Sequence, residues 1–148
     1  MSSDSIPPLL GIANRDIDVL RVITDCLHEA VCVIDAEERV VVWNRSSEKL
    51  YAVEREQILH RRITDFFPDS LIARVGRSRQ ASHNVHHSPR AGQHILASAE
   101  PLYMNGVFLG AVSSDRDYAE VTRLYQELED AKSRVQFLEG EIQRFSGS

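Results

Sequence analysis

The sequence predicts an α+β fold in which one five-stranded antiparallel sheet carries short flanking helices and is followed by a long C-terminal helix. Three observations predict it. The hydrophobic period changes from helical to strand-like, then to short helical pieces, then to strand-like again. Short polar turns join neighbouring apolar runs, which makes the sheet antiparallel. After Asp117 the period becomes helical once more and stays strict to the end. The chain's 148 residues suit one domain with an appendage, and a hydrophobic fraction of 43% supplies a core. Seventeen Lys and Arg against 22 Asp and Glu leave a net charge of −5, which argues against a nucleic-acid-binding face. No apolar run approaches the ~20 residues of a membrane span. The Met1–Ser5 start lacks the basic and apolar regions of a signal peptide. Two cysteines, Cys26 and Cys32, are too few for a disulfide scaffold, so a cytoplasmic, reduced setting is expected.

Residues 1–15 read as a flexible lead-in, because serines, Asp4, Pro7 and Pro8 are breakers and cap formers. Asp16 is placed to cap a helix whose apolar positions are Ile17, Leu20, Ile23 and Leu27. Ala30–Ile34 and Arg39–Trp43 are β-branched runs joined by the polar turn Asp35–Glu38. Asn44 is a good N-cap for a helix over Arg45–Tyr51. Short helices are expected at Arg55–Leu59 and Ile63–Phe67. A further helix through Leu71, Ile72 and Val75 would be capped by Asp69 or Ser70. Ala81–His87 is a weak strand and Pro89–Gly92 a turn. Gln93–Tyr103 and Val107–Ser114 are strands joined by Asn105-Gly106, whose residues tolerate the positive φ of a type I′ turn. The sensor domain is thus expected at 16–117 and a coiled-coil linker at 118–148.

In that linker Val121, Leu124, Leu128, Ala131, Val135, Leu138, Ile142 and Phe145 alternate at spacings of three and four. These are a and d positions sustained over three heptads. At a rise of ~1.5 Å per residue the seam extends ~36 Å. Glu127 and Arg134 at g positions face Lys132 and Glu139 at the following e positions of a parallel partner. Both pairs are opposite in sign, so a parallel in-register homodimer is expected.

Several stretches, taken together, resemble a PAS domain over about residues 17–120. Ala30-Val31-Cys32-Val33-Ile34-Asp35 is similar to the first PAS strand, and Val41 through Tyr51 to the second strand with its Asn-capped helix. Gly110-Ala111-Val112 followed by Arg116-Asp117-Tyr118-Ala119-Glu120 resembles the last strand and the family's exit motif. Glu38 and His60 stand where relatives commonly have Gly, and Ala119 stands at the exit motif's Thr. The stretch from Asp115 to Glu139 looks like the linker of sigma-54-dependent transcriptional activators, in which a PAS sensor joins an ATPase. No phosphate loop or helix-turn-helix is evident, so the chain is expected to be the sensory N-terminal part of a larger regulator that carries the output domain, or a stand-alone relative.

The resemblance implies a pocket between sheet and helices, with Cys32, Ile34, Ile63, Phe66, Ile95, Ala97, Ala99, Val112 and Ser114 facing inward. Small side chains there would leave room for a modest apolar ligand; equally, these residues read as plain core. No cofactor is required by the sequence. Ile63 occupies the position of the reactive Cys of light-oxygen-voltage domains, which counts against flavin photochemistry of that type. Haem would need an axial ligand such as His. His83, His86, His87 and His94 lie close in sequence, with His83 and His87 expected on one strand face and a solvated edge as the plainer reading. Cys26 and Cys32 are expected to be small buried hydrophobes. No hydrolase elbow, zinc motif or phosphoacceptor His-Glu pair supports catalysis. The expected function is a signal-sensing module that relays a ligand or partner signal through Arg116 and Asp117 into the paired helix. A ligand-free dimerisation module and a haem-based redox or gas sensor are the alternatives.

Overall fold

The structure is a computed structural model and describes residues 12–146. Most of the expected lead-in, and the last two linker residues, lie outside the described residues. Helix α1 spans Asn14–Thr24, starting earlier than the expected Asp16 cap. Its N-cap is Ala13, which makes no side-chain cap bond, so Asp16 instead places its charge in the first turn.

Strands β1 (Ala30–Asp35) and β2 (Val40–Trp43) pair antiparallel as the first hairpin. Asn44 then caps α2 (Arg45–Tyr51), its Oδ1 accepting the Ser47 N–H at 3.0 Å. The same oxygen accepts the Val31 N–H at 2.9 Å, and Nδ2 donates to the Thr24 and Glu29 carbonyls at 2.8 and 2.9 Å. Asn44 is therefore a cap and also a buried pin that joins the end of α1, the start of β1 and α2. Three short helices follow: α3 (Arg55–Ile58), α4 (Ile63–Phe66) and α5 (Leu71–Ser78). Ser70 provides the α5 cap by accepting the Ala73 N–H.

The remaining strands are β3 (Ser82–Arg90), β4 (Gln93–Met104) and β5 (Val107–Asp117), and α6 (Tyr118–Ser146) leaves directly from β5. The expected four-residue turn at Pro89–Gly92 is shorter, because Arg90 still pairs with Gln93. Pro89 is tolerated within β3 because this strand lies at the sheet edge and its register shifts between His87 and Arg90. Asn105 and Gly106 have φ of 51° and 79°, as a type I′ turn requires. Glu38 and His60 also take positive φ, at 68° and 69°. Glu38 is held there by Arg77 of α5, whose Nη2 donates to Oε1 at 2.8 Å.

The strand order is β2-β1-β5-β4-β3. The first and last strands thus lie side by side, and a change in β5 is felt by both β1 and β4. On one face, α2 to α5 cover a core that includes Ile34, Trp43, Tyr51, Ile58, Phe67, Ile72 and Ile95. On the other, Ile17 of α1 packs with Val33, Val41 and Val42.

Candidate functional site

A cavity of about 40 Å³ lies between the sheet and α4–α5. Cys32, Ile63, Ile95 and Ala97 line it, as the resemblance implied. Ile34 and Ala99 are buried but lie outside its lining, and Phe66 packs partly buried against the core while its neighbour Phe67 turns inward. Val112 and Ser114 are on the opposite face of the sheet. Val112 packs with the α1-side cluster, and Ser114 donates to Glu29. The register explains this correction. Residues directly opposite in an antiparallel pair share a face. Cys32 sits opposite Ser113, and Ala97 opposite Asp115, so Ser113 and Asp115 face the cavity instead. A one-residue shift of parity exchanges every side chain between faces.

That shift makes the cavity polar at one end. Asp115 is buried, and its Oδ2 accepts the Tyr51 hydroxyl at 2.5 Å. Its Oδ1 has no partner. Burial raises the Asp115 carboxyl to about 7, against the lowering effect of the Tyr51 bond. Burial, with Asp115 nearby, holds the Tyr51 phenol and the Cys32 thiol far above their ordinary range, so both remain protonated. His87 also lines the cavity, and its Nε2 has no partner. Burial lowers its pKa, with Arg74 acting in the same direction, so the ring is neutral near pH 7. Ser70 and Ser113 complete the polar lining, while Trp43, Tyr51 and Phe67 form an aromatic wall. The Tyr51 and Phe67 ring centroids are 5.1 Å apart, and those of Trp43 and Phe67 are 6.2 Å apart.

The histidines divide differently from the alternation expected along β3. Asn84 takes a φ of 53° within a register shift between Ser82 and Val85. The shift puts His83 on the outer surface, 3.3 Å from Glu100, whereas His87 points inward. A uniformly solvated edge is thus wrong for His87. His86 and His94 approach at 3.0 Å, and His86 stacks on Tyr118 with ring centroids 4.3 Å apart. Cys32 is buried as expected, but Cys26 is exposed because the chain has already left α1. Among the described residues no cluster of three or more His, Cys, Asp or Glu could hold a metal. The cavity as it stands is far below the ~300–1,000 Å³ of typical cofactor pockets.

At the exit, Asp117 Oδ1 accepts the Ala119 N–H at 2.9 Å, in the position of a helix cap. Arg116 donates to Glu29 through Nε at 3.0 Å and Nη2 at 2.5 Å. The Ser114 hydroxyl, then Arg116, hold the Glu29 carboxyl below its usual range. Sequence patterning gives no cue to Glu29, because its partners lie some 85 residues away. Beyond this latch α6 runs for 29 residues with none buried. Its seam residues Leu124, Leu128, Ala131, Val135, Leu138, Ile142 and Phe145 are exposed, and Val121 is half-buried. Val121 and Leu124 border an open groove shared with Leu27 and Leu50. None of the described helices is long and apolar enough to cross a membrane.

A family model described as the PAS fold matches residues 24–123. Sensor protein CitS of Halalkalibacterium halodurans is 24% identical over 127 residues, covering 84% of this chain and 23% of CitS. The chain therefore spans about a quarter of that relative's length. Among solved structures, the PAS domain of Bordetella pertussis BvgS matches with a TM-score of 0.55 at 19% identity, covering 80% of this chain and 99% of that one. Histidine kinase ThkA, solved in complex with response regulator protein TrrA, matches with a TM-score of 0.58 at 20% identity, covering 84% of this chain and 38% of that one.

Proposed function

We propose a signal-input role for this chain, which belongs to the PAS fold family: a small ligand or partner shifts the sheet, and a parallel pair of α6 helices carries the change to an output domain. The observation that supports this most is the continuity of β5 with α6. Asp115 lines the cavity, Arg116 is latched to Glu29, and Asp117 caps a helix whose apolar seam is uncovered. A ligand that favours one arrangement of β5 would bias the angle or register of the paired helices. The chain itself is proposed to be non-catalytic and to work in the cytoplasm beside its output.

Light scattering of the purified chain tests the dimer. A dimer is expected at micromolar concentration, and Leu128→Asp should weaken it about 100-fold or more while leaving the sheet's melting unchanged. A wild-type monomer would sink the relay. Two outputs compete. The linker's likeness to sigma-54-dependent activators supports an ATPase, whereas the match to histidine kinase ThkA supports a kinase. ATP-dependent protein phosphorylation by the full-length protein would favour the kinase, and ATP hydrolysis without it the activator.

A further inference from the structure

We propose that the cavity recognises a small organic cation with a flat, N–H-donating head of the amidinium type, anchored by Asp115. The cavity lining holds two buried acceptor atoms that make no hydrogen bond. Asp115, which lines the cavity, has its Oδ2 satisfied by Tyr51 but its Oδ1 buried without a partner. The neutral His87 ring leaves Nε2 unpartnered in the same lining. Buried polar groups are ordinarily hydrogen-bonded, so two orphans in one small space point to a missing donor. No Lys or Arg lines the cavity to supply it. Arg116 is engaged with Glu29, and Arg90 donates to the Tyr51 carbonyl. The charge left uncompensated is negative, so a cation complements it and an anion is repelled. The aromatic wall of Trp43, Tyr51 and Phe67 suits a flat cation as well, through attraction to the ring faces. The volume of about 40 Å³ limits the occupant to a few heavy atoms. Asp115 is two residues from the helix-capping Asp117, so occupancy acts on the strand that becomes α6. This consequence at α6 rests on the signal-input reading above; the binding itself does not.

The test uses three molecules of nearly the same shape: acetamidinium, acetamide and acetate. Each is titrated into the isotope-labelled chain at pH 8, with backbone amide shifts as the readout. Acetamidinium should shift the Cys32, Ser113 and Asp115 amides saturably, binding about tenfold or more tighter than acetamide, with no response to acetate. Asp115→Asn should erase that preference. The wild type at pH 5.5 gives a second measurement should the variant not fold. Asp115 faces Tyr51 from α2, Cys32 from β1, His87 from β3 and, more distantly, Glu29. Tyr51 and Cys32 stay protonated throughout, and Glu29 stays ionised. Lowering the pH to 5.5 therefore neutralises Asp115, which weakens cation binding. Acetamide or acetate binding as tightly as acetamidinium, or no saturable shift at pH 8, would overturn the proposal. The readings separate cleanly. Binding with silent Tyr118–Val121 amides upholds the cation site and sinks the relay. No binding by a chain that still dimerises through α6 sinks the cation site alone.

Discussion

Ile34, Ile58 and Ile95 in the sheet domain are 1%, 0% and 2% exposed, whereas Leu128, Ile142 and Phe145 in α6 are 61%, 66% and 80% exposed. The residue types are alike, and their surroundings are opposite. The domain closes its own core because β1 lies between β2 and β5, with helices on both faces. In α6 the seam residues from Leu124 to Ile142 are exposed. At ~25 cal/mol per Å² of apolar surface, the domain gains its stability within one chain, whereas the exposed α6 seam would gain stability by pairing as proposed. On the proposed relay, stability and communication lie in different parts of the molecule, and substitutions should separate them.

The largest effect is expected at Gly110 in β5. Its φ is 152°, and a Cβ there would sit 1.9 Å from the Ile34 carbonyl oxygen. Gly110→Ala should cost about 4 kcal/mol or more and leave the domain unfolded at 37 °C, as read by urea denaturation. A stably folded variant would mean that β1 and β5 approach less closely than described. Next comes Asp115. Its folded pKa is raised to about 7, so the fold prefers the protonated acid. Wild-type stability should fall as pH rises from the ordinary carboxylate range through about 7, then level off. Asp115→Asn removes this dependence and should be more stable than wild type at pH 8, relative to pH 4, by on the order of 2–4 kcal/mol. Equal pH profiles for the two proteins would argue against a buried carboxylate. The smallest effect is at Asp117. Asp117→Ala removes a cap worth about 1 kcal/mol. It should speed amide exchange in the first turn of α6 without moving the domain's melting transition. In the full-length protein it should uncouple sensing from output; unchanged regulation would leave Asp117 as a cap and nothing more.

The elements, their order and most of their ends were legible because they depend on neighbours in sequence. Asn44 precedes a helical period and follows a β-branched run, which marks a cap. Asn105-Gly106 carries its turn in its own φ preferences. The faces of β5 and of the edge strand β3 were not legible in this way. The family resemblance implies that Val112 and Ser114 face inward, and polar Ser113 and Asp115 carry no local cue that they are buried. The β1 pairing sets the parity the other way. His87 is a similar case, since the irregularity at Asn84 resets the alternation along β3.

The sequence by itself determined the strand and helix order, the cap at Asn44, the type I′ hairpin and the heptad pattern. Each follows from periodicity or backbone preference over a few residues. Only the tertiary structure decided that Asp115 and His87 are buried with unpartnered atoms, that Glu29 latches Arg116, and that Cys26 is exposed while Cys32 is not. Burial and partnership depend on strand register and on side chains tens of residues distant. A local pattern carries no information about either.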